Sequence, residues 1–190
     1  VQVEKADFRI RRFKEKRETT AIFAVDASGS AALHRMAEAK GAIELLLADC
    51  YVRRDRTALI AFRGKQAEVL LPPTRSLQRA KKSLADLPGG GGTPLAAGIE
   101  QSMLVADQVR RSGGIPLVVF LTDGKANIAR DGTADRAVAL RDAEAAAKAL
   151  RLAGFRTLMI DLSDTRTGPA AKLAEAMGAD YLPLPHADAS

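Results

Sequence analysis

The stretch Ile22-Phe23-Ala24-Val25-Asp26-Ala27-Ser28-Gly29-Ser30 decides the fold. Four apolar residues run unbroken into an aspartate, the pattern of a strand buried on both faces. Beyond it, Leu33-His34-Arg35-Met36-Ala37-Glu38 opens a helical pattern. A carboxylate and two hydroxyls therefore stand on a tight loop at the carboxyl end of a central strand, where open α/β sheets bind ligands. Asp26, Ser28 and Ser30 alternate with small residues, so three oxygens can turn toward one point. Hard oxygen donors in that arrangement suit Mg²⁺, Mn²⁺ or Ca²⁺ far better than zinc.

The rest of the chain supplies a frame for that loop. Its 190 residues suffice for one domain with a sizeable core. The apolar residues lie in short runs, none near the roughly 20 that a membrane span needs. Val1 to Lys16 is charged and lacks the apolar centre of a signal peptide. The start at valine points to a piece of a longer protein. Cys50 is the single cysteine, which rules out an internal disulfide and fits a reducing cytoplasm. It falls on the apolar side of a helical pattern and reads as core filler. The net charge is +6, but the cations are scattered, tryptophan is absent and no nucleic-acid module is recognisable, so no nucleic-acid partner is expected.

Residues 1–19 carry seven basic and four acidic side chains and read as a basic linker or N-terminal extension, with Phe8, Ile10 and Phe13 as a conceivable latch. Residues 20–185 form the expected domain and residues 186–190 a tail. Within the domain, strand patterns at 20–25, 57–62, 67–71, 115–121, 155–162 and 180–184 alternate with helical patterns. The helix from Ala31 to about Arg53 carries Leu33, Met36, Ala37, Ile43, Leu46, Leu47 and Cys50 as one stripe. Gly41 inside it predicts close packing against the sheet, because glycine otherwise weakens a helix. Arg63-Gly64-Lys65 predicts a hairpin, and Pro72-Pro73 predicts the end of its second strand. Ser76 is placed to cap a helix running to about Leu87, and Pro94 to start the next after four consecutive glycines. Helices follow from Ala134 to about Ala153 and from Pro169 to Met177, each stopped by a glycine. The expected fold is α/β, Rossmann-like and doubly wound: a mostly parallel six-stranded sheet with one antiparallel edge strand and helices on both faces.

Three loops carry the chemistry: Asp26 to Ser30, Gly89 to Pro94, and Thr122 to Asn127. The first and third leave the carboxyl ends of parallel strands and open on one edge. With the glycine loop beside them, Asp26, Ser28, Ser30, Thr93 and Asp123 are the expected ligands of one cation. Mg²⁺ prefers six oxygens and keeps water where protein does not reach, so at least one position stays open for an incoming carboxylate. Gly91, Gly92, Pro94, Lys125 and Asn127 form the expected partner-binding rim.

Asp26-Ala-Ser28-Gly-Ser30, followed by Gly92-Thr93-Pro94 and an apolar strand ending in Thr122-Asp123-Gly124, resembles the metal-ion-dependent adhesion site of von Willebrand A, or integrin I, domains. The likeness covers nearly the whole chain from Thr20 onward. Val25 to Ala32, Ala39 to Ala42, Ala58 to Gly64, Leu70 to Ser76 and Gly90 to Ala96 are moreover similar to the C-terminal domain of magnesium chelatase D subunits. That resemblance implies a non-catalytic scaffold domain with Mg²⁺, or Mn²⁺ or Ca²⁺, at the adhesion site. It implies partnership with an AAA+ ATPase subunit and a large porphyrin-binding subunit, and ATP bound elsewhere in the complex. The whole assembly would insert Mg²⁺ into protoporphyrin IX for chlorophyll and bacteriochlorophyll synthesis. An acidic residue of a partner would complete the metal site.

Plainer readings compete at each residue. Ser28 or Ser30 would serve as a helix cap, Thr93 as an N-cap before Pro94, and Asp123 as a turn-former. The glycine run lacks the Gly-Lys-Ser/Thr ending of a phosphate loop. His34 and His186 read as surface residues, and Asp161 and Asp164 as possible added charge near the site. The alternatives for function are a von Willebrand A domain of another AAA+-linked chelatase or chaperone scaffold, or a metal-dependent phosphohydrolase. Ser28 stands where an Asp-x-Asp phosphatase has its second acid, and it lacks the first glycine of a Gly-x-Ser-x-Gly hydrolase elbow.

Overall fold

The computed structural model describes residues 18–28, 31–87, 89–163 and 168–183, with side chains of the first helix described from Lys40 onward. Six strands form one sheet: β1 (Thr19–Asp26), β2 (Arg56–Arg63), β3 (Gln66–Thr74), β4 (Ile115–Thr122), β5 (Arg156–Asp161) and β6 (Asp180–Pro183). Five helices accompany them: α1 (Ala31–Arg53), α2 (Leu77–Ala85), α3 (Leu95–Arg111), α4 (Arg136–Leu152) and α5 (Pro169–Met177). The strand order is β3-β2-β1-β4-β5-β6, and only the β2–β3 pair is antiparallel. The doubly wound α/β architecture expected from the alternation is the one observed.

β1 lies at the centre because both its faces are apolar. Ile22 and Ala24 point into a layer with Leu95 and Ile99 of α3, Ala143 of α4 and Leu173 of α5. Phe23 and Val25 point into the opposite layer with Ile43, Leu47 and Cys50 of α1 and Leu84 of α2. Each large side chain so buried contributes about 1.5–3 kcal/mol. The two-residue period of a strand then fixes what happens at its end. Asp26 continues the face of Ile22 and Ala24, and so emerges on the α3 side. Thr122 does the same on β4, since Val118 and Phe120 belong to that layer. The register sets Val25 beside Leu121, which brings Thr122 next to Asp26.

Three local expectations are corrected. β3 continues through Pro72 and Pro73 to Thr74. It is an edge strand, where a missing N–H costs no ladder bond, and its pairing with β2 shifts register between Thr57 and Ile60. Gly41 packs on nothing: a Cβ there would meet no atom within 4 Å, and the residue is exposed. The hairpin turn holds two residues, Gly64 and Lys65, with Gly64 at φ 63°. The close approach attributed to Gly41 occurs at Gly98 instead, where a Cβ would lie 2.6 Å from the buried Phe62 ring. There α3 presses directly on β2.

Ser76 caps α2 as expected, its hydroxyl accepting the Arg79 N–H. Asp135, not anticipated, caps α4 by accepting the Ala137 and Val138 N–H groups. Cys50 is buried in the core. No helix among the described residues is long and apolar enough to cross a membrane. Phe8, Ile10, Phe13, Ser30, Asp164 and His186, and the side chain of His34, lie outside what the structure describes.

Candidate metal centre

Three loops meet at the carboxyl edge of β1 and β4. The Ala27 N–H donates to the Phe62 carbonyl at 3.1 Å, and the Gly90 N–H donates to the Ala27 carbonyl at 2.9 Å. These bonds fasten the loop after β1 to β2 and to the glycine run. On the other side, the Asn127 N–H donates to the Thr93 carbonyl at 3.3 Å, and the Thr93 N–H donates to Asn127 Oδ1 at 2.6 Å. Asn127, expected to face a partner, therefore acts inward and holds Thr93 in place. Gly92 allows that approach, since a Cβ there would fall 2.4 Å from Ile128 Cγ1.

The side chains so positioned form one buried cluster. Asp26 Oδ1 accepts from the Ser28 N–H at 3.0 Å and from the Ser28 hydroxyl at 2.5 Å. The Ser28 and Thr93 hydroxyl oxygens lie 2.6 Å apart, although 65 residues separate them in the chain. Asp26 Oδ2 accepts from the Thr122 hydroxyl at 2.8 Å. Asp26, Ser28, Thr93 and Thr122 are all buried. Thr93 does not cap α3; the cap position is Pro94, which offers no side-chain bond. Ser28 likewise spends its hydroxyl on Asp26 and Thr93 rather than on the helix.

The electrostatics follow from this burial. Desolvation raises the Asp26 carboxyl from 3.8 to about 6, against the lowering effect of its bonds to Ser28 and Thr122. The nearby Asp123 carboxylate raises it further. The three hydrogen bonds thus leave much of the Asp26 charge uncompensated. Asp123 is partly exposed. Its Oδ1 accepts the Lys125 N–H at 2.9 Å, and its Oδ2 pairs with Lys125 Nζ at 2.9 Å. Lys125 thus engages both carboxylate oxygens of Asp123. The loop carrying both is braced by Arg130, whose guanidinium holds Glu100 of α3 at 2.6 Å. Its N–H donates to Asp142 of α4 at 2.8 Å.

Of the expected ligands, the structure brings Asp26, Ser28 and Thr93 into direct contact and sets Asp123 within electrostatic reach. Asp161 is buried but turned elsewhere, accepting from the Ser163 N–H at 2.7 Å and the Tyr181 hydroxyl at 2.5 Å. Gly91 lies against Gly64 of the hairpin, and Pro94 opens α3. Thr122 was missed. Its signal was present: it directly precedes Asp123 on a strand destined to pair beside β1.

This donor set fits a hard divalent cation. The described residues hold no group of three or more His, Cys, Asp or Glu suited to a metal. What they hold is a desolvated carboxylate with two touching hydroxyls and a second carboxylate nearby, all oxygen and with few formal charges.

Residues 21–125 match the family model described as von Willebrand factor type A domain. The chain is 52% identical over 187 residues to the magnesium-chelatase 60 kDa subunit of Cereibacter sphaeroides, covering 98% of this chain and 34% of that protein. It is 51% identical over 188 residues to the magnesium-chelatase 60 kDa subunit of Rhodobacter capsulatus, covering 98% and 33%. It thus spans about a third of the length of these relatives. Among solved structures, the von Willebrand factor type A protein from Catenulispora acidiphila superposes with a TM-score of 0.65 at 20% identity, over 90% of this chain and 39% of that one. On this match and this fold, the chain belongs to the von Willebrand factor type A domain family.

Proposed function

We propose that this chain is the metal-dependent docking domain of a magnesium chelatase D subunit, and that it turns over no substrate itself. The observation that carries the reading is the 2.6 Å approach of the Ser28 and Thr93 hydroxyls beside a buried, under-compensated Asp26. A structural loop would spend these hydroxyls on caps; here they converge on one another and on a carboxylate. Asp26, Ser28 and Thr93, with Asp123 and Ser30, would hold Mg²⁺, or Mn²⁺ or Ca²⁺. When bound, the ion supplies a positive centre with an open position that a partner's carboxylate can fill.

The chain's own residues shape that encounter. Asn127, which Gly92 lets approach, keeps Thr93 aimed at Ser28. Lys125 neutralises Asp123 until a partner arrives. Arg63 and Lys65 on the hairpin and Lys125 on the β4–α4 loop ring the edge with positive charge, which favours an acidic partner and speeds its approach. In the assembly we infer, those partners are the AAA+ ATPase subunit and the large porphyrin-binding subunit, and the complex drives ATP-dependent insertion of Mg²⁺ into protoporphyrin IX. The identity with chelatase subunits supports that assignment.

The test couples binding to capture. Calorimetric titration with Mg²⁺ and Mn²⁺ is run on the wild-type chain and on Ser28→Ala, and capture of the purified ATPase subunit is measured with Mg²⁺ and with EDTA. Saturable binding lost in the variant, with capture that needs the metal, is expected. Equal capture in EDTA would refute the docking role.

A further inference from the structure

A second feature opens on the same edge, between α4 and α5, as a cavity of about 450 Å³. Its size is that of a ligand site, which runs from about 300 to 1,000 Å³. One wall is a single stripe of α4, because Arg136, Leu140, Glu144 and Lys148 recur every four residues and share a face. The other wall is α5, with Pro169, Lys172 and Leu173. Leu140 remains 45% exposed in the groove, an apolar surface that nothing in the described chain covers.

The rim is unbalanced in charge. Arg136, Lys148 and Lys172 are exposed and pair with no carboxylate among the described residues, where Glu144 is the one acid lining the walls. Three cations against one acid, set around the exposed Leu140, give the groove a net positive rim. The groove begins at the two residues that follow Asp123, Gly124 and Lys125. Lys125 lines it and pairs its ammonium with Asp123, and Gly124 packs so tightly on α5 that a Cβ would clash with Ala170 N.

The geometry points to a second docking site in which this groove takes an acidic, amphipathic peptide segment of a partner protein. Aliphatic side chains of that segment cover Leu140, and its carboxylates meet Arg136, Lys148 and Lys172. The inference rests on the proposed docking role for its acidic partner but not on the metal, since none of the three cations belongs to the ion's ligands. Long, flexible lysines along a shallow channel suit an extended chain with spaced charges.

The test uses the whole chain in EDTA, so that failure of the metal reading and failure of this one stay separate. A display library of random 12-residue peptides is panned on the wild type, and the enriched peptides are titrated against wild type and Lys148→Glu/Lys172→Glu by fluorescence anisotropy. Both lysines are exposed, and an unchanged thermal melt verifies that the double variant folds. Enrichment of Asp or Glu beside Leu, Ile, Val or Phe is expected, with affinity at least about tenfold weaker in the double variant. Affinity should fall as salt shortens the Debye length from about 10 Å toward about 3 Å. Peptides without acids, or affinities that ignore the two charge reversals, would overturn the proposal. Saturable binding of laurate with no peptide enriched would overturn the peptide as occupant.

Discussion

Replacing Asp26 with asparagine should stabilise the metal-free chain while removing its capacity to hold a cation. Asp26 is only 4% exposed, and burial raises its carboxyl from 3.8 to about 6. The folded chain thus holds this proton more tightly than the unfolded chain does. Below pH 3.8 the group is protonated in both states and costs nothing. As pH rises from there through 6, the unfolded state gains ionisation that the folded state resists, and stability falls. At about 1.36 kcal/mol per pKa unit the loss at neutral pH is about 3 kcal/mol. Asparagine avoids this cost and keeps an oxygen for the Ser28 N–H and hydroxyl, but its amide meets the Thr122 hydroxyl, which forfeits about 1 kcal/mol. The net gain is about 2 kcal/mol, or about 4–8 °C in melting temperature for a chain of this size. Melts in EDTA across pH 4.5 to 7.5 read it directly: the variant's advantage should be full above pH 6 and shrink as pH falls. An Asp26→Asn chain less stable than wild type at pH 7.5, by a margin that pH does not alter, would refute the reasoning.

Thr93→Ala removes one of the touching hydroxyls without exposing a charge; it should cost about 1 kcal/mol in urea unfolding and weaken Mg²⁺ by at least about tenfold in calorimetry. Gly124→Ala should lose about 2–4 kcal/mol in the same unfolding assay, because the residue sits at φ 76° and its new Cβ would strike the α5 backbone. Lys125→Ala, by freeing Asp123 of its exposed ion pair, should leave stability within about 0.5 kcal/mol and raise Mg²⁺ affinity severalfold by calorimetry.

Much of this was legible because it depends on period and punctuation. The apolar run at Ile22 to Val25 could be buried only between two helical layers, and strand parity then carried Asp26 to the α3 side. The convergence of Ser28 and Thr93 was expected because Ser28 follows a central parallel strand and Thr93 opens the helix that packs beside it. What escaped depended on neighbours across the sheet. Pro72 and Pro73 read as a stop although the hairpin already implied an edge strand, because nothing local says which of its N–H groups face away from β2. Gly41 read as a contact, yet the tight approach is at Gly98, where the Phe62 ring of another element decides it. Thr122 joined the site only through the pairing of β1 with β4. The charge imbalance between α4 and α5 has no sequence signature, because its members come from two separate helices.

The central claim is that Asp26, Ser28 and Thr93 form a cation site. Diffraction from crystals grown with Mn²⁺, collected at the manganese absorption edge, tests it most directly. The account predicts an anomalous peak within coordination distance of both the Ser28 and the Thr93 hydroxyl oxygens, absent in Asp26→Asn. No peak there at millimolar Mn²⁺, with the two hydroxyls still bonded to one another, would contradict it.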